Sequence, residues 1–396
     1  MEGGKFMSSI AVDIQPEIIN WALNQTNKEN IDGKLLKNIS KWLDGTKSPT
    51  FNQIEEFSKK SCIPLGYFFL EKPPKEKINL IDYRTIDSVD LIDPSRDLID
   101  TVFEMETIQD WMATYRQEMG FDKCVFLGLS KEQDNPIEIA KLIRSYLEAP
   151  IKWYKSTDSV TDSFKYWRNL LNQTGVVVMM NGVVRNNTHR TLNTNEFRAF
   201  AMANDWAPLI FINASDTHGA RLFSLLHEAT HIALGTSDLF NDRQNTDTVV
   251  SSVETLCNAV AAELLVPNEE FIIEWNKLKT TENDYNKFSE IAGVFHCGVT
   301  VIARRAFDNK FIDFSTYKKM ADYMIDKYNK NKKNKSGKGG NYYSTIASRL
   351  DKSLVRAICE SISIGRTSYT EAFRLTNTNK KTFPNVVNKV GGVSNW

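Results

Sequence analysis

The sequence predicts an α+β protein that is mostly helical, and three observations predict it. Apolar residues recur at helical spacing through most of the 396 residues. Two β-rich runs interrupt that pattern, at 174–184 and 196–215. Directly after them comes a helix-forming stretch, 219–234, that contains His-Glu-x-x-His.

The elements follow in order. In the first 75 residues, IQPEIINWALNQ places Ile18, Ile19, Trp21 and Ala22 at amphipathic spacing. LLKNISKWLDG does the same with Leu35, Leu36, Ile39, Trp42 and Leu43, and stops at Gly45, a natural helix-end residue. Pro49 and Thr50 then open a third helix with Phe51, Ile54 and Phe57 expected on one face. Short helices joined by tight turns predict a helix-turn-helix-like bundle over 1–75. The Pro-rich, charged EKPPKEK breaks the pattern, and 76–91 reads as a linker. Residues 92–325 read as the central domain: three lead-in helices up to about 170, the β-rich runs with a DWAP turn dividing the second, then further helices. DKYNKNKKNKSGKGG at 326–340, with six lysines, reads as an exposed flexible connector. Residues 341–396 read as a small helical C-terminal unit.

Composition narrows the function classes. Lys plus Arg and Asp plus Glu are 49 each, so the chain lacks the basic excess that non-specific phosphate binding uses. Five scattered cysteines without a Cys-x-x-Cys pair argue against a disulfide framework and a thiolate zinc knuckle. The start, MEGGKFMSSIAVDIQPE, has no apolar signal segment, and no apolar run approaches the roughly 18 residues that span a bilayer. A reducing cytoplasm and no membrane partner are expected.

The chemistry concentrates in GARLFSLLHEATHIAL, where Leu222, Leu225, Leu226, Ala229, Ile232 and Ala233 predict a helix with one buried face. Residues four apart lie one turn apart on one face, so His227 and His231 can offer imidazole nitrogens to one ion. Glu228 is rotated about a hundred degrees from His227 and can instead serve a water beside the metal. A hydrolytic zinc site takes three protein ligands and leaves one position open. The next helix, DTVVSSVETLCNAVAAELLVP, starts near Asp247, ends at Pro267, and carries Glu254 and Glu263. Nine residues is two and a half turns, so only one of the two can face the metal. Glu254 shares its face with Val250, Cys257, Asn258 and Ala261, small residues that permit close approach, and is the preferred third ligand. Glu263 suits a structural role behind the site, and a ligand from elsewhere remains an alternative. Glu228 is the expected general base. Arg198, Arg221, His218 or a tyrosine are all open as oxyanion donors. His218 reads as a cap or rim residue, and His189 and His296 as structural. EFRAFAMAN reads as an edge strand on which an extended peptide could be added.

On these residues the chain resembles the ImmA/IrrE family of metallopeptidases. The matching pieces are EFRAFAMANDWAPLIFINAS, RLFSLLHEATHIALG, ETLCNAVAAELLVP and FHCGVTVIARRAF, in that order. WLDGTKSPTFNQIEEFSKKSCIPLGYFFLEKPP resembles the XRE-type helix-turn-helix module fused ahead of longer members, and GGNYYSTIASRL extends the likeness toward the C-terminus. The resemblance implies a zincin-like peptidase domain and a zinc-dependent, site-specific endopeptidase. It implies a protein substrate, a transcriptional repressor or antitoxin-like partner in mobile-element, toxin–antitoxin or stress-response control. It assigns His227, His231 and Glu254 to the metal and Glu228 to the general base. Ala229 and Thr230 stand where many members have other residues, and neither is a ligand.

Two other readings compete. Residues 1–75 hold ten Lys or Arg against nine Asp or Glu, little excess for phosphate contacts. DNA nevertheless remains a candidate partner of that module. The chain would then be a DNA-binding regulator whose peptidase-like domain senses or is inactive. A non-peptidase zinc hydrolase is the third reading, because the motif fixes an activated water and not the bond attacked.

Overall fold

The computed structural model describes residues 10–26, 31–74, 82–83, 94–131, 133–235, 247–278, 285–334 and 341–391. It is α+β and mostly helical, as the periodicity predicts. The chain divides into two compact units, Met1–Ile78 with Ile92–Val102, and Asn79–Leu91 with Phe103–Trp396.

In the first unit, α1 (Pro16–Asn24), α2 (Gly33–Leu43) and α3 (Phe51–Ser61) are followed by a 3-10 turn at Leu65–Phe69. Local chemistry sets the helix ends. The Asp32 side chain accepts the N–H groups of Lys34 and Leu35 and so caps α2. Gly45, at φ 71°, adopts the left-handed conformation just beyond it. Thr50 and Gln53 satisfy each other's backbone N–H groups at the start of α3. Ile18, Ile19, Leu35, Ile39, Trp42, Ile54, Phe57 and Phe68 meet in one core. Phe51 departs from expectation: it is exposed and stacks on Phe69. As the first helical residue its side chain leans back beyond the helix end, away from Ile54 and Phe57.

The second unit is built around four strands, β1 (Asp82–Tyr83), β2 (Val177–Asn181), β3 (Ala199–Met202) and β4 (Leu209–Asn213), in the order β1-β3-β4-β2. β2 runs parallel to β4, while β3 runs antiparallel to both β4 and β1. Every residue of β3 and β4 is buried, which is why both read as continuous apolar runs and not as alternating ones. Preceding the sheet in sequence, apart from β1, are α4 (Arg96–Glu118), α5 (Pro136–Tyr146) and α6 (Val160–Gln173). After it come α7 (His218–Leu234), α8 (Asp247–Leu265), α9 (Asn268–Lys277), α10 (Tyr285–Val294), α11 (Val299–Asp308) and α12 (Phe314–Asn334). The chain closes with α13 (Tyr342–Arg349), α14 (Lys352–Ser363), α15 (Tyr369–Leu375) and α16 (Phe383–Val390).

Two expectations are corrected. EFRAFAMAN is not an edge strand: Phe200 and Ala201 pair with Tyr83 and Asp82 on one side and with Phe211 and Ile210 on the other. A two-residue strand carries no periodicity, so its arrival at that edge leaves no mark in sequence. The lysine-rich stretch is helical as far as Asn334, lysine being a good helix former. Residues 335–340 of that stretch, and the 76–91 linker apart from 82–83, lie outside the described residues.

The other edge of the sheet is closed by the C-terminal helices. The Asp351 carboxylate accepts the Val178 N–H at 2.8 Å and the Asn172 amide at 2.5 Å. Arg168 donates to the Val178 carbonyl at 2.6 Å and to that of Leu350 at 2.7 Å. Among the described residues, no helix is long and apolar enough to cross a membrane.

Candidate metal centre

α7 is held at both ends. The Thr217 hydroxyl accepts the Ala220 N–H at 3.1 Å and caps its start. At its other end the Ile232 and Ala233 carbonyls receive the N–H groups of Gly128 and Ser130, at 3.0 and 2.7 Å. Gly235 turns the chain at φ 78°, and a Cβ there would lie 2.8 Å from the Gly128 Cα, so no side chain fits. The sequence predicts one buried face. Instead Leu222 and every residue from Ser224 to Leu234 are buried, because α6, α8, β3 and β4 all pack on α7. An α-helix buried all round is apolar unless its polar residues have work. Here three of them are His227, Glu228 and His231, all at most 1% exposed.

α8 lies against α7 and brings Glu254 to the two histidines. The His227 and His231 Nε2 atoms are 3.0 Å apart. Glu254 reaches them with one carboxylate oxygen each, at 3.2 and 3.1 Å. Donor atoms about 2.0–2.1 Å from a tetrahedral zinc stand roughly 3.3–3.4 Å apart, and each of these three contacts lies within a few tenths of an ångström of that spacing. Two imidazole lone pairs at 3.0 Å repel, so either a proton or a cation must sit between them. Among the described residues, this is the group of ligand-type side chains close enough to share an ion.

Electrostatics polarises the cluster. Burial works against the charged form of His231, but contacts with Cys257 and Glu254 and the charge of Glu228 outweigh it and hold its pKa well above the ordinary value. Burial would raise Glu254, yet hydrogen bonds and charge from His227 and His231 keep it well below the usual carboxylate range. The carboxylate therefore stays ionised among imidazoles, as a cation site requires. Burial pushes the Cys257 thiol up, so it is neutral at pH 7.

Glu263 points away, as two and a half turns dictate. It pairs with Arg305 at 2.5 Å and with Arg144 at 3.7 Å, and its oxygens also meet the Asn268 N–H at the start of α9. The Trp153 indole donates to the Leu264 carbonyl alongside. The far end of α8 is thus tied to α5, α9 and α11.

None of the remaining candidates joins the cluster. His218 opens α7, about 13–14 Å of helix from His227, with Nδ1 3.3 Å from the Thr161 hydroxyl. Arg198 pairs with Asp216 at 3.1 Å. Arg221 donates to the carbonyls of Asp216 and Ala214. Both arginines bind the turn leading into α7. His296 follows α10 and contacts the Thr157 hydroxyl, while His189 lies in a polar loop with its N–H on Asn187. Sequence reasoning misses one neighbour of the cluster, Cys257, whose sulfur lies 3.7 Å from His231 Nδ1. The signal was its place one turn beyond Glu254, read only as small size.

A small sheet thus packs on a buried His-Glu-x-x-His helix, and the next helix brings a carboxylate to its two histidines. Residues 171–307, roughly a third of the chain, match the family model of the IrrE N-terminal-like domain, a metallopeptidase family. That span holds β2 to β4, α7, α8 and all four site residues. A second model, of a domain of unknown function, matches residues 350–389 in the C-terminal helices. Comparison with curated proteins finds no match.

Proposed function

We propose that this protein is a zinc-dependent, site-specific endopeptidase of the cytoplasm. The observation that carries the reading is the buried cluster of His227 Nε2, His231 Nε2 and the Glu254 carboxylate, held by contacts of 3.0–3.2 Å. Two neutral imidazoles and one carboxylate suit a zinc ion and leave it a single net positive charge. When bound, zinc supplies a Lewis acid that brings the pKa of water down to about 7.

Each side chain then has a task. His227 and His231 hold the ion from one α-helical turn, and Glu254 closes the cluster from α8. Glu228, the residue after His227, takes a proton from the attacking water and returns it to the leaving amine. Its burial beside His231 keeps bulk water from competing for that proton. A peptide substrate that added to β3 would first displace Asp82 and Tyr83, which pair there. A repressor or antitoxin-like protein as substrate rests on the family resemblance.

A second reading has one observation in its favour. α2 carries Lys34, Lys37 and Lys41, all exposed, and no acidic residue, so one face of the first unit is basic although the whole is not. A helix-turn-helix module would use such a face on DNA phosphates. The chain would then be a DNA-binding regulator with the metal centre as sensor.

Glu228→Gln separates the two. With the protein co-expressed beside a neighbouring repressor, the variant should keep its zinc and lose about 10²–10⁴-fold in cleavage rate, read by mass spectrometry of the repressor. Full biological activity in that variant would refute the peptidase reading and favour the regulator. Turnover of a small amide or ester with no protein cut would favour a different zinc hydrolase.

A further inference from the structure

We infer that Cys257 is a positioning residue for the metal centre, its sulfur accepting the Nδ1–H of His231 so that the Nε2 lone pair faces His227 and Glu254. The inference rests on the metal-centre reading above.

A neutral imidazole carries one proton. If Nε2 is to face a cation, that proton must be on Nδ1, and at a buried site it needs an acceptor. Cys257 Sγ lies 3.7 Å from Nδ1, within reach of a sulfur hydrogen bond. On the opposite side of the ring, Nε2 is 3.0 Å from His227 Nε2 and 3.1 Å from a Glu254 oxygen. The sulfur therefore cannot be a ligand for the same ion, since the imidazole ring stands between them. Cys257 is fully buried, so bulk water does not compete with the sulfur for that N–H.

The placement follows from helical spacing. Cys257 comes three residues after Glu254, so both project from one face of α8 toward α7. One helix face thus supplies a carboxylate to the ion and orients the imidazole beside it. Zinc-binding histidines commonly give their second N–H to a carboxylate or a carbonyl. A thiol is a weaker acceptor, and here it occupies that role.

The test uses the full chain and zinc affinity, measured by competition with a chromophoric chelator. Cys257→Val fills the volume without an acceptor; Cys257→Ser keeps an acceptor on the same Cβ. Valine should weaken zinc binding about 10–100-fold, and serine by clearly less. If valine binds zinc as tightly as serine or more tightly, Cys257 only fills space and the inference is overturned. The native protein gives a check that needs no variant. A long-range proton–nitrogen spectrum of the zinc-loaded chain should show His231 as the Nδ1–H tautomer, and an Nε2–H tautomer would overturn the inference equally. Failure of the native chain to take up zinc would instead bring down the metal-centre reading itself.

Discussion

At His231 a buried imidazole holds a proton that any cation must displace, and this makes the centre sensitive to pH. Its pKa is raised in the fold above the ordinary 6.5. The proton therefore stabilises the fold below pH 6.5, and that contribution fades as pH climbs through the raised value. Glu254 is shifted the other way, so its contribution is present above the ordinary 4.5 and is lost only as pH falls well below it. Metal binding reverses the histidine sign, because the ion needs Nε2 unprotonated. Zinc affinity should rise about tenfold per pH unit and keep rising above pH 6.5, where an unperturbed imidazole would already have levelled off. Chelator competition between about pH 6 and pH 8.5 reads the slope. A plateau beginning at the ordinary histidine pKa would show that the surrounding carboxylates do not govern the site.

At the scale of elements, α8 shows what the sequence could and could not tell. Helical period alone says that Glu254 and Glu263 face opposite sides, and the small residues around Glu254 say which side meets α7. Both inferences need only 3.6 residues per turn and side-chain size. The partners of Glu263 were not legible, because Arg144 and Arg305 come from α5 and α11, far off in sequence. The same distance in sequence hid the pairing of Asp82 and Tyr83 with β3 and the burial of α7 on every side. Local pattern reveals a helix and its faces; it does not count how many neighbours will pack on it. Glu263→Ala should make the division of labour measurable. It leaves two buried guanidinium groups without their carboxylate, a loss of about 3–5 kcal/mol. The urea midpoint of the second unit should fall accordingly, while zinc stoichiometry stays at one. Loss of zinc without loss of stability would instead place Glu263 at the metal.

For the second unit as a whole, the sheet is open and carries a parallel strand, β2, at its rim. Among the described residues β2 pairs with β4 alone, so the N–H and C=O groups along its other side would, if uncovered, template association with another chain. Asp351 and Arg168 close that side at Val178. Asp351 also caps α14, accepting the N–H groups of Ser353 and Leu354 at 2.7 and 3.1 Å. One buried carboxylate thus joins the sheet edge to the start of the C-terminal helices, and neither contact has a sequence signature beyond an Asp before a helix. If these helices serve as the cover of β2, a chain ending at Gly340 should expose the edge and associate. Light scattering would then show a concentration-dependent rise in mass that the full chain lacks. Asp351→Ala in the full chain is the milder test: it strands the Val178 N–H and uncaps α14, for about 2–4 kcal/mol together. A truncated chain that stays monomeric at every concentration and melts as the full one does would mean that β2 needs no cover, and that the C-terminal helices are a separate appendage.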